Sequence, residues 1–116
     1  MSDAPSPSVL LVHCSCPDDA SAERLAQTLV GERLAACVSR LPGVRSTYRW
    51  QDAIEQADEV LLLIKTTAER MDALSERVRA LHPYELPELV AVEVRTGLAP
   101  YLQWVAGQTR LPDPHR

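Results

Sequence analysis

The segment His82–Glu88 carries the greatest capacity for chemistry, because it reads His-Pro-Tyr-Glu-Leu-Pro-Glu. An imidazole, a phenol and two carboxylates lie between two prolines. Each proline fixes its own φ at about −65° and disfavours helix at the residue before it, so the segment predicts a stiff, extended connector. Its imidazole and carboxylates could bind a metal ion or transfer protons. A plain connector, in which Pro83 ends a helix and both carboxylates face water, is the alternative that loops of this composition favour.

Two cysteines provide softer ligands elsewhere in the chain. Cys14 and Cys16 are two residues apart on a predicted strand, so their side chains point to the same face. Together with His82 they offer the thiolate and imidazole groups that Cu and Zn prefer. A buried pair of inert thiols is the alternative. Cys37 lies between alanines and a valine, which favours a small core residue.

Composition limits the class of protein. The chain has 116 residues, 46% of them hydrophobic, which fits one globular domain. Its net charge of −4 gives no electrostatic reason to expect nucleic acid or an anionic membrane as partner. No uninterrupted apolar run is longer than Val60–Ile64, far short of the roughly 20 residues that span a bilayer. With an odd number of cysteines and no leader-like start, we expect a soluble protein of the reducing cytoplasm.

The hydrophobic pattern predicts one folded unit at 9–108, between proline-containing flexible tails at 1–8 and 109–116. Within it the predicted order is βαββαβ followed by a last helix. The predicted elements are a strand at 9–16, a helix capped by Asp18 or Asp19, a strand at 35–50 with a bulge at Pro42-Gly43, a strand from 53 to 64, a helix capped by Thr66 or Thr67, a strand at 89–94 and a helix at 98–106.

The first two helices each carry one apolar stripe, so both should pack on the same side of a sheet. This predicts an α+β, ferredoxin-like βαββαβ fold with a four-stranded antiparallel sheet and a long bulged hairpin. In that topology the first strand lies beside the strand that the connector enters, which would bring Cys14 close to His82.

Aromatic residues suggest self-association. Tyr and Trp are enriched where proteins meet, and a long hairpin favours contacts through sheet edges and faces. We therefore place Tyr48, Trp50 and Trp104 at an oligomer interface. Completion of the core within one chain is the alternative for both tryptophans.

Six short motifs together resemble the CutA divalent-cation tolerance family. In chain order they are Ala-Ala-Cys-Val at 35–38, Pro-Gly-Val at 42–44, Tyr-Arg-Trp at 48–50, Leu-Leu-Ile-Lys-Thr at 62–66, the His82–Glu88 segment and Tyr-Leu-Gln-Trp at 101–104. The resemblance implies a ferredoxin-like subunit in a homotrimer, similar in architecture to PII-type signalling proteins, with a role in tolerance of copper or another divalent metal ion. Relatives credited with copper binding carry a His-His pair before Pro-Tyr, whereas here Leu81 replaces the first.

The expected metal ligands are accordingly Cys14, Cys16, His82 and Glu85. A second hypothesis, a PII-like signalling or scaffold role, has a small ligand or a protein bound in the cleft between subunits. Its candidate residues are Arg49, Trp50, Lys65, Tyr84 and Glu88. Structural ion pairs are the alternative for the two basic residues. We expect no enzyme, since neither a catalytic triad nor a glycine-rich phosphate loop is identifiable.

Overall fold

The computed structural model describes residues 7–111. The chain forms four strands and three helices: β1 (Val9–Cys16), α1 (Asp19–Gly31), β2 (Cys37–Trp50), β3 (Ala53–Thr67), α2 (Met71–Leu81, entered through a short 3₁₀ turn), β4 (Val90–Glu93) and α3 (Ala99–Thr109). The predicted tails coincide in large part with residues 1–6 and 112–116, which lie outside the described part of the chain. Thr109 is buried at the end of α3.

The four strands form one antiparallel sheet in the order β2-β3-β1-β4. Two helical crossovers place β1 at the centre, between β3 and β4. Cys14 lies opposite Leu62 of β3, and Val12 lies opposite Ala91 of β4. The predicted ferredoxin-like α+β fold is confirmed.

Alternation along the strands separates the sheet into two faces. Leu10, Val12, Cys14 and Cys16 project towards α1 and α2, and they are buried in the main core. The core there is completed by apolar side chains of the two helices and of β3, among them Leu25, Leu29, Leu62, Ile64, Leu74 and Val78. The opposite face carries a smaller cluster in which Val9 packs with Ala36 and with Val105 of α3.

The two helix starts differ in how they are capped. The carboxylate of Asp18 accepts a hydrogen bond of 2.8 Å from the backbone N–H of Ser21, which confirms a predicted cap of α1. Thr67 occupies the N-cap position of the 3₁₀ turn before α2, as predicted for one of the two threonines, but its side chain makes no capping hydrogen bond. Thr66 instead points into the core, where its hydroxyl donates to the carbonyl of Leu34 at 2.6 Å. This bond ties β3 to the segment that follows α1.

Strands β2 and β3 form a long hairpin arm. Its pairing shifts between Leu41 and Val44, so the predicted bulge is confirmed, and Gly43 there takes a φ of 78°. At the tip Gln51 and Asp52 have φ values of 48° and 66°, as a two-residue hairpin turn of the primed type requires. The arm gives the subunit its elongated shape of 56 × 30 × 23 Å.

Candidate functional site

The predicted approach of β1 and the connector is found in the structure. The side chains of Cys14, Cys16 and His82 form a cluster whose ligand atoms all lie within 4.8 Å of one another. We call this group the Cys–His cluster. All three residues are buried, the two cysteines completely. The cluster lies on the helix-covered side of the sheet, where α2 ends and the chain turns into an extended conformation at His82.

Both ring nitrogens of His82 are engaged in hydrogen bonds. The backbone N–H of Tyr84 donates to Nδ1 at 3.0 Å, so this nitrogen is the acceptor. The proton of the neutral ring therefore lies on Nε2, which donates to the carbonyl of Ser15 at 2.7 Å. The imidazole thus joins the end of β1 to the connector.

The hydrogen bond between the two thiols of the cluster lowers the pKa of Cys16 and raises that of Cys14. The neighbouring Cys16 thiol, burial and the negative charges of Glu88 and Glu59 all raise the pKa of Cys14. Metal ligation needs the deprotonated sulfur. The atoms of the cluster therefore suit a soft or borderline cation, while their present protonation and hydrogen bonding suit a satisfied core.

The fourth predicted ligand does not join this group. Glu85 is exposed, and it lies on the wall of a cleft of about 730 Å³ beside the hairpin arm. We call this space the hairpin cleft. It is lined by residues of the arm, of the end of β1 and of the connector: Ser15, Ser46, Thr47, Tyr48, Arg49, Trp50, Glu59, Tyr84, Glu85, Leu86, Pro87 and Glu88.

Four of the five residues predicted for ligand binding line the hairpin cleft: Arg49, Trp50, Tyr84 and Glu88. Lys65, the fifth, does not line this cleft of the single subunit. Its ammonium group donates to the hydroxyl of Ser39 at 2.8 Å and to the carbonyl of Leu63 at 3.2 Å, away from the cleft. Lys65 lies opposite Cys37 in the sheet register, nearer the base of the arm than its tip.

A buried carboxylate stands at the inner end of the hairpin cleft. Glu59 is only 8% exposed, and the hydroxyl of Tyr84 donates to its Oε2 at 2.8 Å. Burial, this hydrogen bond and the charge of Glu59 together raise the pKa of Tyr84, so the phenol remains the proton donor. The sequence analysis did not single out Glu59, although it shares strand parity with Leu61 and Leu63 and so faces away from the helices.

Comparison with known proteins decides the family. Residues 10–108 match the model of the CutA1 divalent ion tolerance protein family. The chain belongs to this family. The divalent-cation tolerance protein CutA of Pectobacterium atrosepticum is 44% identical over 110 residues, covering 95% of this chain and all of the relative. That of Thermus thermophilus is 46% identical over 99 residues, covering 85% and 96%.

Solved structures of the family share the fold. CutA from Xylella fastidiosa superposes with a TM-score of 0.87 at 51% identity, covering 89% of this chain and 99% of the other.

Among the described residues, no helix is long and apolar enough to cross a membrane. Trp50 and Trp104, which could have completed the core, are instead 41% and 44% exposed in the single subunit.

Proposed function

We propose that the chain contributes to divalent-cation tolerance by capturing a soft or borderline ion, copper or zinc, at the Cys–His cluster. The observation that carries the proposal is the convergence of two sulfurs and one imidazole within 4.8 Å. Membership of the divalent ion tolerance family supports it. Because no catalytic constellation accompanies the cluster in residues 7–111, we propose a binding role without enzymatic activity.

Capture at this cluster requires two local changes. The thiols must lose protons, and His82 must exchange one of its hydrogen bonds for the ion. Nδ1 is the nitrogen that can be freed without moving the ring proton, and its release also frees the backbone N–H of Tyr84. Leu81 offers no ligand atom. Binding should therefore release protons and strengthen as the pH rises.

Titration calorimetry with Zn(II), Cu(II) and, under reducing conditions, Cu(I) tests this proposal. Saturable binding that weakens at least tenfold in Cys14→Ser and in His82→Asn would support it. Cys37→Ser is the matched control, since Cys37 lies outside the cluster, and it should leave the affinity unchanged. Binding that is indifferent to the first two substitutions would refute the cluster as the site.

We further propose that the functional unit is a homotrimer in a reducing compartment such as the cytoplasm. The open face of the sheet supports assembly, because Leu41, Val90 and Val92 are 40–55% exposed there. Tyr48, Trp50 and Trp104 also remain exposed in the single subunit. Light scattering should give the mass of three chains at micromolar concentration. A stable monomer under those conditions would contradict the proposal.

The hairpin cleft supports a second candidate function, the binding of a small ligand as in a sensor or scaffold. The specific observation is that the buried Glu59 is at its inner end and aromatic side chains form its walls. A ligand that raises the melting temperature of the wild type, but not of Trp50→Leu, would locate binding in the cleft. If Trp50→Leu leaves the affinity of every ligand found unchanged, the hairpin cleft is not the ligand site of the protein.

A further inference from the structure

We infer that the hairpin cleft binds a small organic cation, an alkylammonium or alkylguanidinium compound. The inference rests on the second proposed function, because it takes the cleft as a ligand site and names the chemistry of the ligand. It does not require that the metal-capture proposal be correct, since the Cys–His cluster lies on the other side of the sheet.

The first step concerns the burial of Glu59 and its hydrogen-bond partners. Glu59 is only 8% exposed, and within residues 7–111 no Lys, Arg or His forms an ion pair with it. Its one protein hydrogen bond there comes from the neutral hydroxyl of Tyr84 and goes to Oε2. A buried carboxylate without a cationic partner is costly in free energy. A bound cation would remove that cost.

The second step is the direction in which Glu59 is open. In the described part of the chain, every fully buried side-chain nitrogen or oxygen atom has a hydrogen-bond partner. Among residues 7–111 no donor bonds to Oε1 of Glu59, so this atom is not fully enclosed by them, and Glu59 lines the hairpin cleft. Oε1 therefore presents a free acceptor to the cleft, at the place where an N–H donor of a ligand would approach.

The third step is the chemistry of the walls. Tyr48, Trp50 and Tyr84 place three aromatic rings around the cleft, and aromatic faces attract cations. Glu85 and Glu88 add two further carboxylates to the lining. The one basic side chain in the lining is Arg49, so the cleft has an excess of negative charge and disfavours anions.

The fourth step separates an organic cation from a metal ion. Hard divalent ions such as Ca²⁺ and Mg²⁺ need several oxygen atoms converging on one point. Within residues 7–111, the three ligand-type side chains that converge in this way are those of the Cys–His cluster, so Glu59, Glu85 and Glu88 do not form such a group. One buried acceptor surrounded by aromatic rings instead suits an N–H cation with an apolar body.

Matched probes test the inference on the full-length, assembled protein. We would titrate n-butylammonium and n-butylguanidinium, with 1-butanol and butyrate as neutral and anionic counterparts, and follow binding by calorimetry and by NMR shifts. Saturable binding of either cation, at least tenfold tighter than that of both counterparts, is expected. Equal binding of the cations and 1-butanol, abolished in Trp50→Leu, would overturn the cationic ligand but retain the cleft as a ligand site.

Two substitutions that each remove one negative charge test whether Glu59 is the carboxylate that binds the cation. Glu59→Gln should lower the affinity for the cation by about tenfold or more, because a hydrogen bond to a charged group is worth about 1.5–3 kcal/mol. Glu76→Gln removes the same charge from an exposed position on α2 and should have no effect. Zn(II) binding measured on the same samples should survive Glu59→Gln. Absence of saturable binding by both cations, or equal affinity in the two variants, would overturn the inference.

Discussion

The Cys–His cluster and the hairpin cleft lie on opposite sides of the same strand end, and they differ in how their polar atoms are paired. In the cluster the two thiols are hydrogen-bonded to each other and both nitrogens of His82 have hydrogen-bond partners, so its polar atoms are already paired. In the cleft one oxygen of Glu59 has no donor among residues 7–111. The comparison shows that ligand-type atoms in proximity do not by themselves make a prepared site, since their existing partners must first be displaced.

The two regions are also mechanically connected. Tyr84 donates its backbone N–H to His82 on one side and its hydroxyl to Glu59 on the other. An ion that took Nδ1 of His82 would remove the first of these bonds, so Tyr84 would be held only by the second. We therefore expect metal capture to change the position of the Tyr84 ring in the hairpin cleft.

The largest expected effect comes from removing the imidazole. His82→Ala deletes a buried ring and two hydrogen bonds, so we expect the free energy of unfolding to fall by about 2–4 kcal/mol. Denaturant unfolding at fixed protein concentration measures this. Arg79→Ala, an exposed change on the same helix, should cost less than about 0.5 kcal/mol. Similar losses for the two variants would contradict the structural role of His82.

A smaller effect is expected on the cleft side. Tyr84→Phe removes the donor to Glu59 and should cost about 1–2 kcal/mol, because the buried carboxylate loses its protein hydrogen bond. In a double-mutant cycle with Glu59→Gln the two losses should not add, since each removes part of the same interaction. Additive losses would show that the phenol and the carboxylate act independently.

The dependence of stability on pH tests the protonated state of the buried Cys14 thiol. Cys14 has a raised pKa in the folded chain, so its thiol ionises first in the unfolded chain, and raising the pH then favours unfolding. This contribution is complete below about pH 9 and is lost as the pH rises further, with a slope of up to about 1.4 kcal/mol per pH unit. Unfolding in reductant between pH 8 and about 10 should show a shallower slope for Cys14→Ala. An unchanged slope would contradict a protonated buried thiol.

The smallest effects should come from the exposed ion pairs near the two regions. Arg77 binds Glu32 beside the helix-covered core, and Arg45 binds Asp58 on the hairpin arm, at 2.8 Å in each case. Solvent screens such pairs, so Arg77→Gln and Arg45→Gln should leave the unfolding midpoint nearly unchanged. A large shift for either one would mean that surface charge, and not the pairing of buried groups, distinguishes the two regions.

The sequence predicts those features of the fold and the site that follow from hydrophobic periodicity and from the order of strands and helices. The alternation of β1 and the βαββαβ order were sufficient to bring Cys14 and Cys16 to His82. The partners of His82 were not predictable, because one is a backbone carbonyl and the other a backbone N–H, and neither has a sequence signature. Glu59 was missed because it follows Asp58 and so resembles ordinary surface charge.

The differences from the expected positions have physical reasons as well. Lys65 ends an apolar run and was expected at a cleft between subunits, but within the subunit the register places it opposite Cys37, where it bonds to Ser39. Thr66 was assigned to a helix cap because of its residue type. In the structure it is completely buried, and the segment at Leu34 supplies an unpaired carbonyl for its hydroxyl.

The hairpin arm has a consequence for amide hydrogen exchange. Its outer half, from Val44 to Glu55, contains no fully buried residue, and its backbone pairing is confined to two strands. In a lone subunit these amides could exchange through local opening, at a free energy well below that of global unfolding. Burial of the arm against neighbouring subunits would raise their protection towards that of the central strands, so the exchange rates at the tip report assembly one residue at a time.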